Sequence, residues 1–130
     1  MQPASMTAIL IVEDESLVAM DIADCITDAG YQVVGPIGNL PEALRIGREG
    51  VFHAALLDAN LGGQTVDELA AALTNRNIPF AFVTGYARET LPADFRHVPL
   101  VRKPYEHEHL KQVVRRLLSR ESTAEGGENS

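Results

Sequence analysis

The sequence predicts an α/β fold, a doubly wound parallel sheet of five strands with helices on both faces. Three observations carry that expectation. Short apolar runs alternate with segments of helical periodicity; the runs are continuous, as in strands covered on both sides; and polar residues fall directly after them. Open α/β sheets bind their ligands at those strand ends. With 130 residues the chain has room for one domain and can bury a core without crosslinks.

The first run is Ala8 to Val12. Val18, Ile22, Cys25, Ile26 and Ala29 then recur at helical spacing, and Gly30 offers a stop. Tyr31 to Gly35 reads as a second, weaker strand. Asn39 followed by Pro41 and Glu42 marks a helix start, with Leu40, Ala43 and Leu44 on one face and Gly50 at the end. Ala54 to Leu57 is the third strand, ending in Asp58 and a Gly62-Gly63 loop. Thr65 and Glu68 have capping-box spacing before the stripe Val66, Leu69, Ala70 and Leu73.

Pro79 to Thr84 is the fourth strand, and a weakly patterned segment follows around Arg88 to Leu91. Val98 to Val101 is the fifth. The last helix carries Leu110, Val113, Val114, Leu117 and Leu118 on one face. These limits divide the chain into a flexible start (1–6), a folded domain (7–120) and a polar, disordered tail (121–130). Right-handed crossovers restrict the sheet to a few doubly wound orders.

Composition narrows the function. Hydrophobic residues make up 45% and charged residues 22%, as in ordinary globular proteins. The net charge of -7 argues against a nucleic-acid partner, which calls for a dense cationic face. No apolar run reaches the roughly 20 residues that span a bilayer, and no secretory signal is visible, so no membrane association is expected and the cytoplasm is the simplest location. Cys25, the single cysteine, excludes a disulfide framework and reads as a small buried hydrophobe.

The polar residues that matter are Glu13 and Asp14 after the first strand, Asp58 after the third, Thr84 ending the fourth, and Lys103 with Pro104 after the fifth. Taken singly, each has an ordinary reading as a solvated helix start, a turn residue or a surface lysine. Convergence at one sheet edge changes that. Two like charges 4 Å apart cost about 4 kcal/mol at an effective dielectric of about 20, so three carboxylates call for a proton or a cation. All-oxygen ligands suit a hard ion such as Mg²⁺. With Lys103 and the Thr84 hydroxyl nearby, an aspartate there can act as a nucleophile toward phosphorus.

These stretches resemble response-regulator receiver domains of two-component signalling. The resemblance covers roughly Thr7 to Arg120 and rests on Ile11-Val12-Glu13-Asp14-Glu15, Leu56-Leu57-Asp58-Ala59-Asn60-Leu61, Phe82-Val83-Thr84-Gly85-Tyr86 and Val101-Arg102-Lys103-Pro104-Tyr105. It implies a flavodoxin-like sheet of strand order 2-1-3-4-5. It implies Asp58 as phosphoacceptor, a metal site of Glu13, Asp14, Asp58 and the Asn60 carbonyl, and Thr84 and Lys103 as ligands of the phosphoryl oxygens. Gly85 leaves access to the site, and the Lys103-Pro104 bond is expected to be cis. The Thr-Gly-Tyr run is similar to an atypical single-domain subgroup with a Phe-Ala-Thr-Gly-Tyr-like motif.

Three positions depart from the common pattern. Glu13 stands for a second aspartate, Gly62 for a proline in the loop after the acceptor, and Leu100 for the aromatic of the fifth strand. Leucine cannot make the inward swing of that aromatic. The candidate switch residues are therefore Thr84, Gly85, Tyr86 and Leu100, with Tyr86 as an alternative switch or shield, or simply packed on the loop. His53, His97, His107 and His109 are scattered and make no metal pair. Lys111, Arg115, Arg116 and Arg120 read as a solvated helix face or a dock for an acidic partner.

The expectation is a stand-alone phosphoacceptor that takes a phosphoryl group from a histidine kinase or histidine phosphotransfer protein and switches protein contacts as a monomer or weak dimer. Phosphorylation adds about 1.5–2 negative charges to which Thr84 and Lys103 respond. Such a chain is no enzyme beyond its own phosphorylation and dephosphorylation. Two alternatives stand beside it: a Mg²⁺-dependent phosphatase with an aspartyl-phosphate intermediate, and a pseudo-receiver that only binds proteins.

Overall fold

The computed structural model describes residues 7–85, 91, 93–95 and 97–127. Strand β1 (Ala8–Val12) is followed by α1 (Ser16–Asp28), β2 (Gln32–Ile37), α2 (Leu40–Glu49) and β3 (Ala54–Leu57). A two-stranded hairpin, β4 (Asn60–Leu61) and β5 (Gln64–Thr65), precedes α3 (Asp67–Asn75). Strand β6 (Phe80–Thr84), a 3-10 turn (Ala93–Phe95), β7 (Leu100–Arg102) and α4 (His107–Gly127) complete the order.

The main sheet is parallel throughout and runs β2-β1-β3-β6-β7. With the hairpin set aside this is the expected 2-1-3-4-5 order. Alternate residues of each central strand go to opposite layers. Leu10, Val12, Ala55, Leu57, Phe80 and Phe82 pack with Ala43 of α2 and Leu69, Ala70 and Leu73 of α3. Ile9, Ile11, Ala54, Leu56, Ala81 and Val83 pack with Ile22, Cys25 and Ile26 of α1 and Leu110, Val113, Val114 and Leu117 of α4. Two apolar layers thus hold β1 and β3 in the centre, where their last residues deliver the site.

Helix ends follow from local chemistry. Gly30 (φ 98°) stops α1: its N–H donates to Thr27 O and that of Tyr31 to Ile26 O, the Schellman pattern. Asn39 Oδ1 caps α2 by accepting from Glu42 N at 2.9 Å.

Several expectations need correction. The Thr65–Glu68 capping box does not form, because Thr65 pairs with Asn60 in the hairpin, Val66 takes the cap position and Glu68 pairs with Arg48 instead. Strand β2 continues through Gly35 and Pro36 to Ile37, with a register irregularity opposite Leu10 and Val12. Strand β7 begins at Leu100 rather than Val98, since Pro99 has no N–H for the ladder and contributes only its carbonyl, to Phe82 N. Helix α4 runs on to Gly127, past the expected boundary at Arg120 and into the expected tail; no proline or glycine interrupts it before Gly126. The flexible start at residues 1–6, and the Arg88 to Leu91 segment except Leu91, lie outside the described residues.

Candidate functional site at the strand ends

Two neighbouring strands end beside one another and deliver the acidic cluster. Glu13 and Asp14 leave β1, and Asp58 leaves β3, its neighbour in the sheet. Asp58 N donates to Val12 O at 2.9 Å, which extends the ladder to the acidic residues themselves. Each of the three can offer a carboxylate oxygen such that all lie within 4.8 Å of one another. Glu13 and Asp58 are buried and Asp14 is exposed. Thr84, also buried, ends β6 on the other side of β3.

Lys103 supplies the opposing charge. It follows β7, and its N–H donates to Thr84 O at 2.9 Å. The ammonium Nζ lies 3.1 Å from Glu13 Oε1, 3.3 Å from Glu15 Oε1 and 3.5 Å from Asp58 Oδ2. Burial opposes the Lys103 charge, but Glu13, Asp58 and Glu15 outweigh it and hold its pKa above the usual lysine value. For Glu13 burial dominates: it pushes the carboxyl up to about 7, with the Asp58 charge adding and Lys103 pulling the other way. The Lys103–Pro104 bond is cis, as is Gly35–Pro36.

The backbone completes the cluster. Glu15 N donates to Glu13 Oε2 at 3.2 Å, Asn60 N to Asp58 Oδ1 at 3.1 Å, and Gly62 N to Asp14 Oδ2 at 2.9 Å. One oxygen stands out. Glu13 Oε1 is buried with no hydrogen-bond partner, its nearest cation being Lys103 Nζ at ion-pair distance. A buried carboxylate oxygen left this way is costly unless a ligand is meant to meet it. The orphaned oxygen and the all-oxygen donor set fit a Mg²⁺ ion.

The family model for the response regulator receiver domain matches residues 9–115. The chain belongs to that family. It is 31% identical over 117 residues to the phyllosphere-induced regulator PhyR of Methylorubrum extorquens, across 86% of this chain and 43% of PhyR. It is 26% identical to the transcriptional regulatory protein PdtaR of Mycobacterium tuberculosis, across 92% of this chain and 62% of PdtaR. The receiver therefore spans less than two thirds of either curated relative. The solution structure of SdrG from Sphingomonas melonis Fr1 superposes with a TM-score of 0.77 at 36% identity, covering 88% of this chain and 98% of SdrG.

Within this receiver the expected residues are distributed unevenly. Glu13, Asp14, Asp58 and Lys103 form one contact network, and Asn60 joins it through its main-chain N–H. Among the described residues, nothing lies within 4 Å of where a Gly85 side chain would stand. Tyr86 lies outside the described residues. Leu100 is partly buried and packs into the same layer as Phe80, Phe82 and Phe95, whose rings meet edge-on at centroid distances of 5.8–6.4 Å. The aromatic bulk of this region thus comes from β6 and the 3-10 turn, not from β7.

The other candidates have local roles. His53 Nδ1 accepts from Ala8 N at 3.0 Å, which joins the start of β3 to β1. His107 stacks on Tyr105 and pairs with Asp21 at 2.9 Å. Lys111 pairs with Asp28 at 2.6 Å and Arg115 with Glu108 at 3.4 Å. Residues without an expected role also reach the site: Glu15 on Lys103, Gly62 on Asp14, and Asp21 beneath Tyr105. Glu15 was signalled by its place in the Glu13-Asp14-Glu15 run and Gly62 by standing where relatives carry a proline; nothing in the sequence pointed to Asp21.

Among the described residues, no helix is long and apolar enough to cross a membrane. An apolar recess of about 420 Å³ beside Lys103 is lined by Leu17, Val18, Asp21, Pro104 and Tyr105. Leu17, which lines it, is exposed on α1.

Proposed function

We propose that the chain is a phosphoacceptor, in which Asp58 takes a phosphoryl group from a phosphohistidine donor with Mg²⁺ as the cofactor. The observation that carries this reading is the placement of Lys103 Nζ, 3.1 Å from Glu13 and 3.5 Å from Asp58, beside three mutually close carboxylates. Glu13, Asp14, Asp58 and the Asn60 carbonyl would hold the ion. Bound there, Mg²⁺ supplies charge neutralisation to the transferring phosphoryl oxygens.

The protein's own groups do the rest. Asp58 is oriented by Asn60 N–H, so one carboxylate oxygen is poised to attack while the other is held. The attack forms an O–P bond as the N–P bond of the donor breaks, and the departing imidazole takes up a proton. Lys103 offsets the charge brought in, and the Thr84 hydroxyl would donate to the new phosphoryl group. Gly85 leaves the approach open. A protein donor, a histidine kinase or a histidine phosphotransfer protein, is supported by exposed Leu17 in the apolar recess. The activity is confined to the chain's own phosphorylation and dephosphorylation, and the output is a changed protein contact.

Incubation with acetyl phosphate and Mg²⁺, followed by intact-mass measurement, tests the reading. The expected result is a single phosphoryl adduct that requires Mg²⁺ and is absent in Asp58→Asn. An unmodified native protein with folded receiver structure overturns it in favour of a pseudo-receiver. Sustained turnover of a small phosphate ester overturns it in favour of a phosphatase.

A further inference from the structure

The hairpin after Asp58 touches the acidic cluster twice, both times through its main chain. Asn60 N–H reaches Asp58 Oδ1, and Gly62 N–H reaches Asp14 Oδ2 at 2.9 Å. The second contact joins β4–β5 to the segment after β1, far away in sequence. Asp14 is exposed, and an exposed aspartate normally samples several rotamers in competition with water. A fixed amide on one oxygen removes that freedom and leaves the other oxygen to meet a cation.

The turn is built to present this amide. Asn60 pairs with Thr65 and Leu61 with Gln64, leaving Gly62 and Gly63 as a two-residue turn. Both have positive φ, 59° and 85°, the combination of a type I′ hairpin turn. The two successive amides then divide their work. Gly63 N–H donates at 2.8 Å to Asn60 Oδ1 and closes the hairpin on itself, while Gly62 N–H points outward to Asp14.

We propose that Gly62 is a positioning residue for the cation site: its main-chain N–H, presented by the left-handed Gly62-Gly63 turn, holds the Asp14 carboxylate in its cation-accepting orientation. The assignment rests on the Mg²⁺ reading above. It makes the hairpin a determinant of Mg²⁺ affinity before any phosphoryl group arrives. The part played by Gly62 is its amide and its backbone conformation, not the lack of a side chain. A Cβ built there meets Asp14 Oδ2 at an ordinary 3.8 Å.

Two substitutions separate these properties. Gly62→Asn keeps the N–H and tolerates positive φ, whereas Gly62→Pro removes the N–H. Calorimetric Mg²⁺ titration of the full chain without phosphodonor is the readout. The expected result is native-like affinity in Gly62→Asn and a loss of about tenfold in Gly62→Pro, the scale on which outer partners of metal ligands act. Equal affinity in all three proteins overturns the assignment alone, as does equal weakening of both variants. Absence of Mg²⁺ uptake by the native chain overturns the cation reading and this assignment with it. An independent check needs no Gly62 variant: in the metal-free protein, Asp14→Ala is expected to move the Gly62 amide proton resonance upfield, and an unmoved resonance overturns the assignment.

Discussion

The Tyr105 hydroxyl donates to Asp21 Oδ2 across 2.8 Å, tying the segment just after Lys103 and Pro104 to the outer side of α1. Burial and the Asp21 carboxylate both raise the Tyr105 pKa, so the phenol remains a donor. Tyr105→Phe is expected to cost about 1 kcal/mol in urea unfolding, the usual contribution of one hydrogen bond. Asp21→Asn added to the Tyr105→Phe variant should cost less than Asp21→Asn alone, because only the pairing with His107 is left to lose.

Asp21 gives that latch an acid limit. Its pKa is held below the ordinary 3.8, first by Tyr105 and then by His107. A depressed carboxyl contributes stability that is present above its unfolded pKa and lost as pH falls through the folded value. Native protein and Asp21→Asn should therefore converge in stability as pH drops below 3.8, measured by thermal unfolding across an acid series.

Glu13 works with the opposite sign. Its folded pKa of about 7 lies above the ordinary 4.5, so the folded chain binds this proton more tightly than the unfolded one. The associated stability is complete below pH 4.5 and is lost as pH rises toward 7. Without Mg²⁺, the native protein should lose stability relative to Glu13→Gln over that interval. Adding Mg²⁺ near pH 7 should release protons, detectable as a buffer-dependent binding enthalpy.

Lys103→Ala leaves Glu13, Asp58 and Glu15 facing one another without their shared cation. Loss of a charge stabiliser of this kind slows chemistry by about 100-fold or more. The acetyl phosphate reaction should slow on that scale while Asp58 itself remains in place, followed by intact mass over time.

At the crossing of α2 and α3, Gly47 lies against buried Leu69, and a Cβ there would fall well inside contact distance of Leu69 Cδ1. Overpacking of this sort costs about 1–3 kcal/mol. Helical preference returns about 1 kcal/mol on going from glycine to alanine. Gly47→Ala should therefore destabilise by about 1 kcal/mol in chemical denaturation, while leaving the strand-end cluster intact.

Elements with strong local signals could be read directly from the sequence. Ala8 to Val12 and Ala54 to Leu57 are apolar throughout because both faces of β1 and β3 are covered, and Gly30 and Asn39 mark helix ends by residue type alone. Asp14, Asp58 and Lys103 could be associated because each follows an apolar run in a parallel sheet. The hairpin could not: Asn60 to Thr65 has no apolar alternation, and its geometry depends on two left-handed glycines. The same limit hid Asp21 from Tyr105, since their pairing spans 84 positions and no local pattern records it. Thr65 shows the converse error, a plausible cap consumed by a tertiary pairing.

Lys103 comes from the last strand of the sheet, whereas Glu13 and Asp58 come from the first and the middle ones. During synthesis, Asp58 therefore leaves the ribosome well before the lysine that accompanies it. A nascent chain halted ahead of β7 presents the carboxylates with neither their counter-charge nor the edge strand beside β6. The cluster of opposite charges is therefore complete only once translation has passed β7.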